Sequence, residues 1–159
     1  MPYNFDRSKN HYYFNNKNSV PIIFIHGLGL NQSMWKPQID FFKNNSFVTY
    51  DLLGHGKTPF SENILTMEKL ANQLLVLIGN LKIDKFHLIG FSIGALVAIE
   101  FTTNYEKYLN SLTLISTTYK RSNDERQKVI DRVNLAKRNM PISKMAMKRW
   151  FSDDYLKKN

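Results

Sequence analysis

The segment Gly90-Phe91-Ser92-Ile93-Gly94 places a serine between two glycines, directly after the strand-like run Phe86-His87-Leu88-Ile89. A serine hydroxyl is a weak nucleophile at neutral pH and needs a base beside it, with a third group to orient that base. Small residues on both sides permit a sharp strand-to-helix turn that lifts the hydroxyl clear of a sheet. A helix opening at Ile93 would aim its unbonded N–H groups at the same point, which suits an oxyanion. The chemistry on offer is acyl transfer through Ser92.

Gly-x-Ser-x-Gly is short enough to arise by chance, so the rest of the chain has to support it. Six of the seven glycines fall in three short loops, each after a strand-like run. His26-Gly27-Leu28-Gly29 follows Val20-Pro21-Ile22-Ile23-Phe24-Ile25, and Asp51-Leu52-Leu53-Gly54-His55-Gly56-Lys57-Thr58 follows Ser46-Phe47-Val48-Thr49-Tyr50. In an open parallel sheet the loops after the strands share one edge, where ligands bind. Three separate strand ends thus bring special backbone to one crevice.

The elements that must position these loops alternate along the chain. His11–Phe14 reads as a short strand turned by Asn15-Asn16-Lys17-Asn18, and Trp35, Ile39 and Phe42 recur at helical spacing. From Thr66 to Leu81 the residues Leu70, Leu74, Leu77, Ile78 and Leu81 make one helical face, with Thr66 as N-cap. Ile93 to Phe101 is apolar almost all round, which predicts a buried helix, and Leu112–Ile115 is the last strand. Strands alternating with helices imply crossovers and a mostly parallel sheet with helices on both faces, an α/β fold. Ser122-Asn123-Asp124-Glu125 is a capping-box pattern opening a helix with Val129, Ile130, Val133 and Ala136 on one side. Pro141 ends it, and a second short helix is expected from Ser143 to Trp150.

Charge divides the chain in the same place. The net charge is +9, yet residues 1–119 hold 10 basic and 8 acidic side chains, while residues 120–159 hold 12 and 5. Residues 1–119 therefore read as a nearly neutral core, and residues 120–159 as a basic helical piece placed on it. Those basic residues have few aromatic neighbours before Trp150, so they predict a solvated surface rather than a nucleic-acid site. The chain has no cysteine, which excludes disulfides and thiolate metal ligands. Gly27-x-Gly29 lacks the third glycine of a dinucleotide fingerprint and no Lys-Ser/Thr phosphate loop is present, so no cofactor and no metal are expected. The polar start MPYNFDRSKNHYYFNN is not a secretory signal, and Leu88–Ile99 is too short to span a bilayer. A cytoplasmic location without membrane contact is the expectation.

These motifs, in this order, make the sequence similar to the α/β-hydrolase superfamily. The resemblance implies Ser92 as nucleophile, with the backbone N–H groups of Leu28 and Ile93 as oxyanion hole. It gives His26, Gly27, Gly90 and Gly94 supporting roles in their loops, makes Asp51 a turn-forming residue, and makes residues 120–159 the beginning of a helical lid. His55 is expected to be structural or near the surface, and His87, in mid-strand, a hydrogen-bonded core residue. In this family the acid and then the histidine follow the serine. No histidine occurs beyond His87. The chain is therefore expected to be the front part of a hydrolase, truncated within the lid and inactive by itself.

The implied activity is hydrolysis of a carboxylic ester or lactone through an acyl-serine intermediate. Lys148-Arg149-Trp150-Phe151-Ser152-Asp153 resembles the Arg-Trp-Phe stretch in lids of 3-oxoadipate enol-lactonases. With the basic charge of the lid, this points to a small anionic substrate, for which Arg121, Arg149 and Trp150 are the candidate contacts. A carboxylesterase or carbon–carbon bond hydrolase would share every core motif, and a non-catalytic binding member would keep the fold without the relay.

Overall fold

Among the residues described by the computed structural model (3–137, 147 and 150–158), six strands join one mixed sheet. They are β1 (Asn4–Phe5), β2 (His11–Asn15), β3 (Ile22–Ile25), β4 (Phe47–Tyr50), β5 (Phe86–Phe91) and β6 (Leu109–Ile115). Their spatial order is β1-β2-β4-β3-β5-β6. The pairs from β4 through β3 and β5 to β6 are parallel, whereas β2 runs antiparallel to both β1 and β4. The chain divides into two compact units, Met1–Thr117 and Thr118–Asn159.

The continuous apolar run of β3 is explained by cover on both faces. Ile23 and Ile25, with Val48, Tyr50, Phe86 and Leu88, meet Leu70, Leu74 and Leu77 of helix α2 (Met67–Leu81). Val97, Ala98 and Phe101 of helix α3 (Ile93–Tyr105) complete that cluster. Phe24, Phe47 and Tyr13 point the other way, onto Trp35 and against Ile39 and Phe42 around helix α1 (Lys36–Phe41). Period-two alternation along each strand thus builds two cores, one on each face of the sheet. Thr66 caps α2 as its spacing predicts, its hydroxyl accepting from the Lys69 N–H at 3.2 Å.

In the second unit the capping box is formed reciprocally at the start of helix α4 (Asn123–Lys137). The Ser122 N–H donates to the Glu125 carboxylate at 2.8 Å, and the Glu125 N–H to the Ser122 hydroxyl at 3.3 Å. The helix expected from Ser143 to Trp150 lies largely outside the described residues. A helix absent from the sequence reading, α5 (Asp153–Lys158), follows, capped by the Ser152 hydroxyl, which accepts from the Tyr155 N–H. No described helix is long and apolar enough to cross a membrane.

β6 pairs only with β5 among the described strands, so its outer edge is open. It carries no charged residue, and Leu112, Leu114 and Ile115 each keep more than a third of their surface exposed. His87 lies beside this strand and is not the core residue that its mid-strand position suggested. It is half-buried, with its ring nitrogen Nδ1 2.8 Å from the Ser111 hydroxyl of β6.

Candidate active site

The loops after β3, β4 and β5 emerge at one edge because these strands are parallel. Ser92 is the hinge between β5 and α3, with φ 55° and ψ −114°, a conformation that residues with a side chain rarely adopt. Its N–H donates to the Ile115 carbonyl at 2.9 Å, so the turn is anchored on β6. Its hydroxyl does not cap α3, although serine commonly takes that role at a helix start. Gly90 packs against the helix backbone across the turn: a Cβ on Gly90 would lie 2.6 Å from the Gly94 carbonyl carbon and 2.7 Å from the Ala95 Cα. The strained φ of Ser92 is held in place by this contact, which places the start of α3 directly against β5.

Ile93 is the first residue of α3, and its N–H precedes every donor that the helix can pair internally. On the other side, the Leu30 N–H closes a turn onto the Gly27 carbonyl at 3.2 Å, with Gly29 at φ +73°. A positive φ at that third position is the pattern of a type II turn, which leaves the N–H of Leu28 outside the turn's own hydrogen bond. Leu28 is half-exposed. Two separate loops thus each hold a backbone N–H that the local turn or helix does not use.

His26 is fully buried and engaged at both nitrogens. Nδ1 lies 2.8 Å from the Gly27 carbonyl, to which it donates, and Nε2 accepts the Leu52 N–H at 2.9 Å. This fixes the neutral tautomer and ties the loop after β3 to the loop after β4. Burial is the main reason that its pKa falls from 6.5 to about 4. Between those values the unfolded chain binds a proton that the folded chain refuses. The stabilisation is complete above about pH 6.5 and is lost as the pH falls towards 4, by about 3 kcal/mol in total. The urea midpoint is expected to drop across this window, and to drop less in His26→Gln. A midpoint unchanged from pH 7 to pH 4 would contradict a buried neutral imidazole.

Asp51 does form its turn, accepting the Lys57 N–H at 2.9 Å, but it does more than that. Its carboxylate also accepts the Gln32 N–H at 2.8 Å and faces His11 Nδ1 at 2.7 Å. Burial alone would raise its pKa, yet the donors from Gln32, Lys57 and His11 outweigh burial and hold it below the usual carboxylate value. The His11–Asp51 pair has no signal in sequence spacing. It arises because β2 runs antiparallel to β4 with Tyr12 opposite Tyr50, which sets His11 beside Asp51. This pair is not a relay for Ser92: β4 and β2 stand two and three strands from β5, roughly 10 and 14 Å away. His55 is half-buried with Nδ1 3.0 Å from the Leu53 carbonyl, and its ring lies tilted against that of His26, centroids 5.3 Å apart.

Of the expected substrate contacts, Arg121 and Trp150 are exposed residues of the second unit, and Arg149 lies outside the described residues. No cluster of metal-ligating side chains occurs among the described residues.

The family model of the alpha/beta hydrolase fold matches residues 20–159. Over 148 residues the chain is 30% identical to 3-oxoadipate enol-lactonase 1 of Acinetobacter baylyi, covering 90% of this chain and 54% of that protein. It is 24% identical over 148 residues to the (E)-2-((N-methylformamido)methylene)succinate hydrolase of the same organism, covering 92% of this chain and 56% of that one. The chain therefore spans about half the length of these relatives. The enol-lactonase from Burkholderia xenovorans superposes with a TM-score of 0.80 at 23% identity, over 99% of this chain and 62% of its own, a likeness of fold.

Proposed function

The chain belongs to the alpha/beta hydrolase fold family, and on that footing we propose that Ser92 is the nucleophile of a carboxylic ester or lactone hydrolase. The observation that carries this reading is the conformation of Ser92: a non-glycine residue held at φ 55° between a strand and the start of a helix. At that turn the serine hydroxyl is not occupied by helix capping.

In the reaction, Ser92 Oγ attacks the ester carbonyl and the carbonyl oxygen becomes an oxyanion. The N–H groups of Leu28 and Ile93 hold that charge, and the alcohol or enol oxygen leaves as the acyl-serine forms. Water then attacks the acyl-serine and releases the acid. Both steps need a base to take the proton from the attacking oxygen, oriented by an acid. Among the described residues, His26 is engaged at both nitrogens, His11 faces Asp51, and His55 and His87 use Nδ1 on the Leu53 carbonyl and the Ser111 hydroxyl. The relay is thus assigned to groups outside this chain's own histidines. A lactone carrying a carboxylate suits the basic residues 120–159, and the names of both Acinetobacter relatives specify carboxylates, a succinate and a 3-oxoadipate.

Covalent labelling tests the assignment without requiring turnover. Treated with a fluorophosphonate at mildly alkaline pH, the chain is expected to gain one adduct, slowly, on Ser92 and none in Ser92→Ala. An adduct of equal yield in Ser92→Ala would refute the reading.

A further inference from the structure

The half of the oxyanion hole contributed by Leu28 sits on a loop with no regular structure of its own, so something must hold it to the ångström that such a site requires. At its front end the loop is tied to the segment after β4 through His26 Nε2 and the Leu52 N–H. At its far end the tie is the Gln32 N–H, which donates to Asp51 Oδ1. Asp51 is itself gripped from two other directions, by the Lys57 N–H and by His11 Nδ1 on its second oxygen. The side chain of Gln32 reinforces the junction: Nε2 donates to the His11 carbonyl at 3.2 Å, and Oε1 accepts the Thr49 hydroxyl at 2.8 Å. His11, Gln32, Thr49 and Asp51 are all buried, each at most 5% exposed. Gln32 Nε2 also lies 2.8 Å from His11 Nδ1, and a buried polar network shielded from water favours one geometry over its neighbours.

We propose that Asp51 and His11 are positioning residues for the oxyanion hole, fixing the Leu28 N–H through Gln32 while leaving the Ile93 N–H untouched. The proposal rests on the assignment of Ser92 and Leu28 above. Its distinguishing feature is asymmetry. Asp51 holds the loop after β3, whereas Ile93 is set by the elbow, by Gly90 against Gly94, and by the Ser92 N–H on β6. Asp51→Asn preserves the shape but replaces one accepting oxygen by an NH2 group, which must face the N–H of Lys57 or of Gln32 and repels it.

The test is amide NMR of the chain during titration with butylboronic acid at pH 9, where the boron adds to Ser92 Oγ and the serine proton passes to the buffer. In the wild type both the Leu28 and Ile93 N–H resonances are expected to move as the boronate oxygen binds between them. In Asp51→Asn the Ile93 shift is expected to persist while the Leu28 shift is lost, with affinity for the boronate roughly ten-fold weaker. Hydrogen exchange at the Leu30 N–H, which closes the loop's turn onto the Gly27 carbonyl, should accelerate in the same variant of the free protein, a readout that does not depend on Ser92. His11→Asn, which leaves the Gln32 and Lys57 bonds in place, should give the same pattern more mildly and serves if Asp51→Asn does not fold. Wild-type shifts at both amides in the variants would overturn the proposal, and so would equal loss at both, which marks a general structural role. Absence of any Ser92-dependent shift in the wild type would instead overturn the assignment of the nucleophile, and accelerated exchange at Leu30 would still report on the clamp.

Discussion

On an activated ester such as 4-nitrophenyl acetate, the 159-residue chain is expected to turn over no faster than its Ser92→Ala variant. The reason is the proton. Ser92 Oγ must lose it as the carbonyl is attacked, and His11, His26 and His87 each face another group. His26 has its lone pair on the Leu52 N–H and lies buried as the neutral form. His11 is set against Asp51 three strands from the elbow, and His87 faces Ser111 on β6. Loss of the histidine from a serine relay costs on the order of a million-fold in rate, leaving what binding and the oxyanion hole contribute. Steady-state rates of both proteins at pH 7 to 9 decide the matter. Clear Ser92-dependent turnover would show that a residue of this chain supplies the base.

The second large effect is on stability. Gly94→Ala is expected to destabilise the protein by about 3 kcal/mol or more, a large share of the roughly 5–15 kcal/mol that holds most domains folded. The added Cβ would lie 2.5 Å from the Ile25 carbonyl oxygen and 2.6 Å from that of His26. Both are backbone atoms at the end of β3, between β4 and β5, and they cannot swing aside as a side chain would. The helix must back away from the sheet, which also relaxes the elbow. Gly79→Ala is the control, since nothing lies within 4 Å of its added Cβ and alanine favours the helix. Urea unfolding of the two variants measures the contrast; a Gly94→Ala midpoint equal to that of the wild type would mean that α3 does not rest on β3 as described.

Much of this architecture was legible in short segments. The elbow needs only five consecutive residues and the strand before them. The cap at Thr66 and the capping box at Ser122 and Glu125 formed where their spacing placed them, because each depends on a side chain and an N–H within one helical turn. Helix α5 rests on signals of the same local kind: Ser152 before Asp153-Asp154, with Lys157-Lys158 at the end, is an ordinary set of helix signals. His87 shows the limit of such reading. Its position in mid-strand suggested burial, but the exposure of a strand face depends on what covers it, and that information is not local.

What the sequence determined by itself is the local chemistry. It specified the α/β class, the strand-turn-helix around Ser92, the glycine loops and the two helix caps, all from residues within a few positions of one another. What only the tertiary structure decided is which distant groups meet. His11 and Asp51 are 40 residues apart and become partners because β2 turns antiparallel against β4 in one register. His26 becomes a clamp rather than a base because the loop after β4 brings the Leu52 N–H to its lone pair. A shift of one residue in a strand pairing would turn every side chain on it to the other face and break both contacts. Strand order and register are set by the packing of the two cores together, so no short window of sequence contains them.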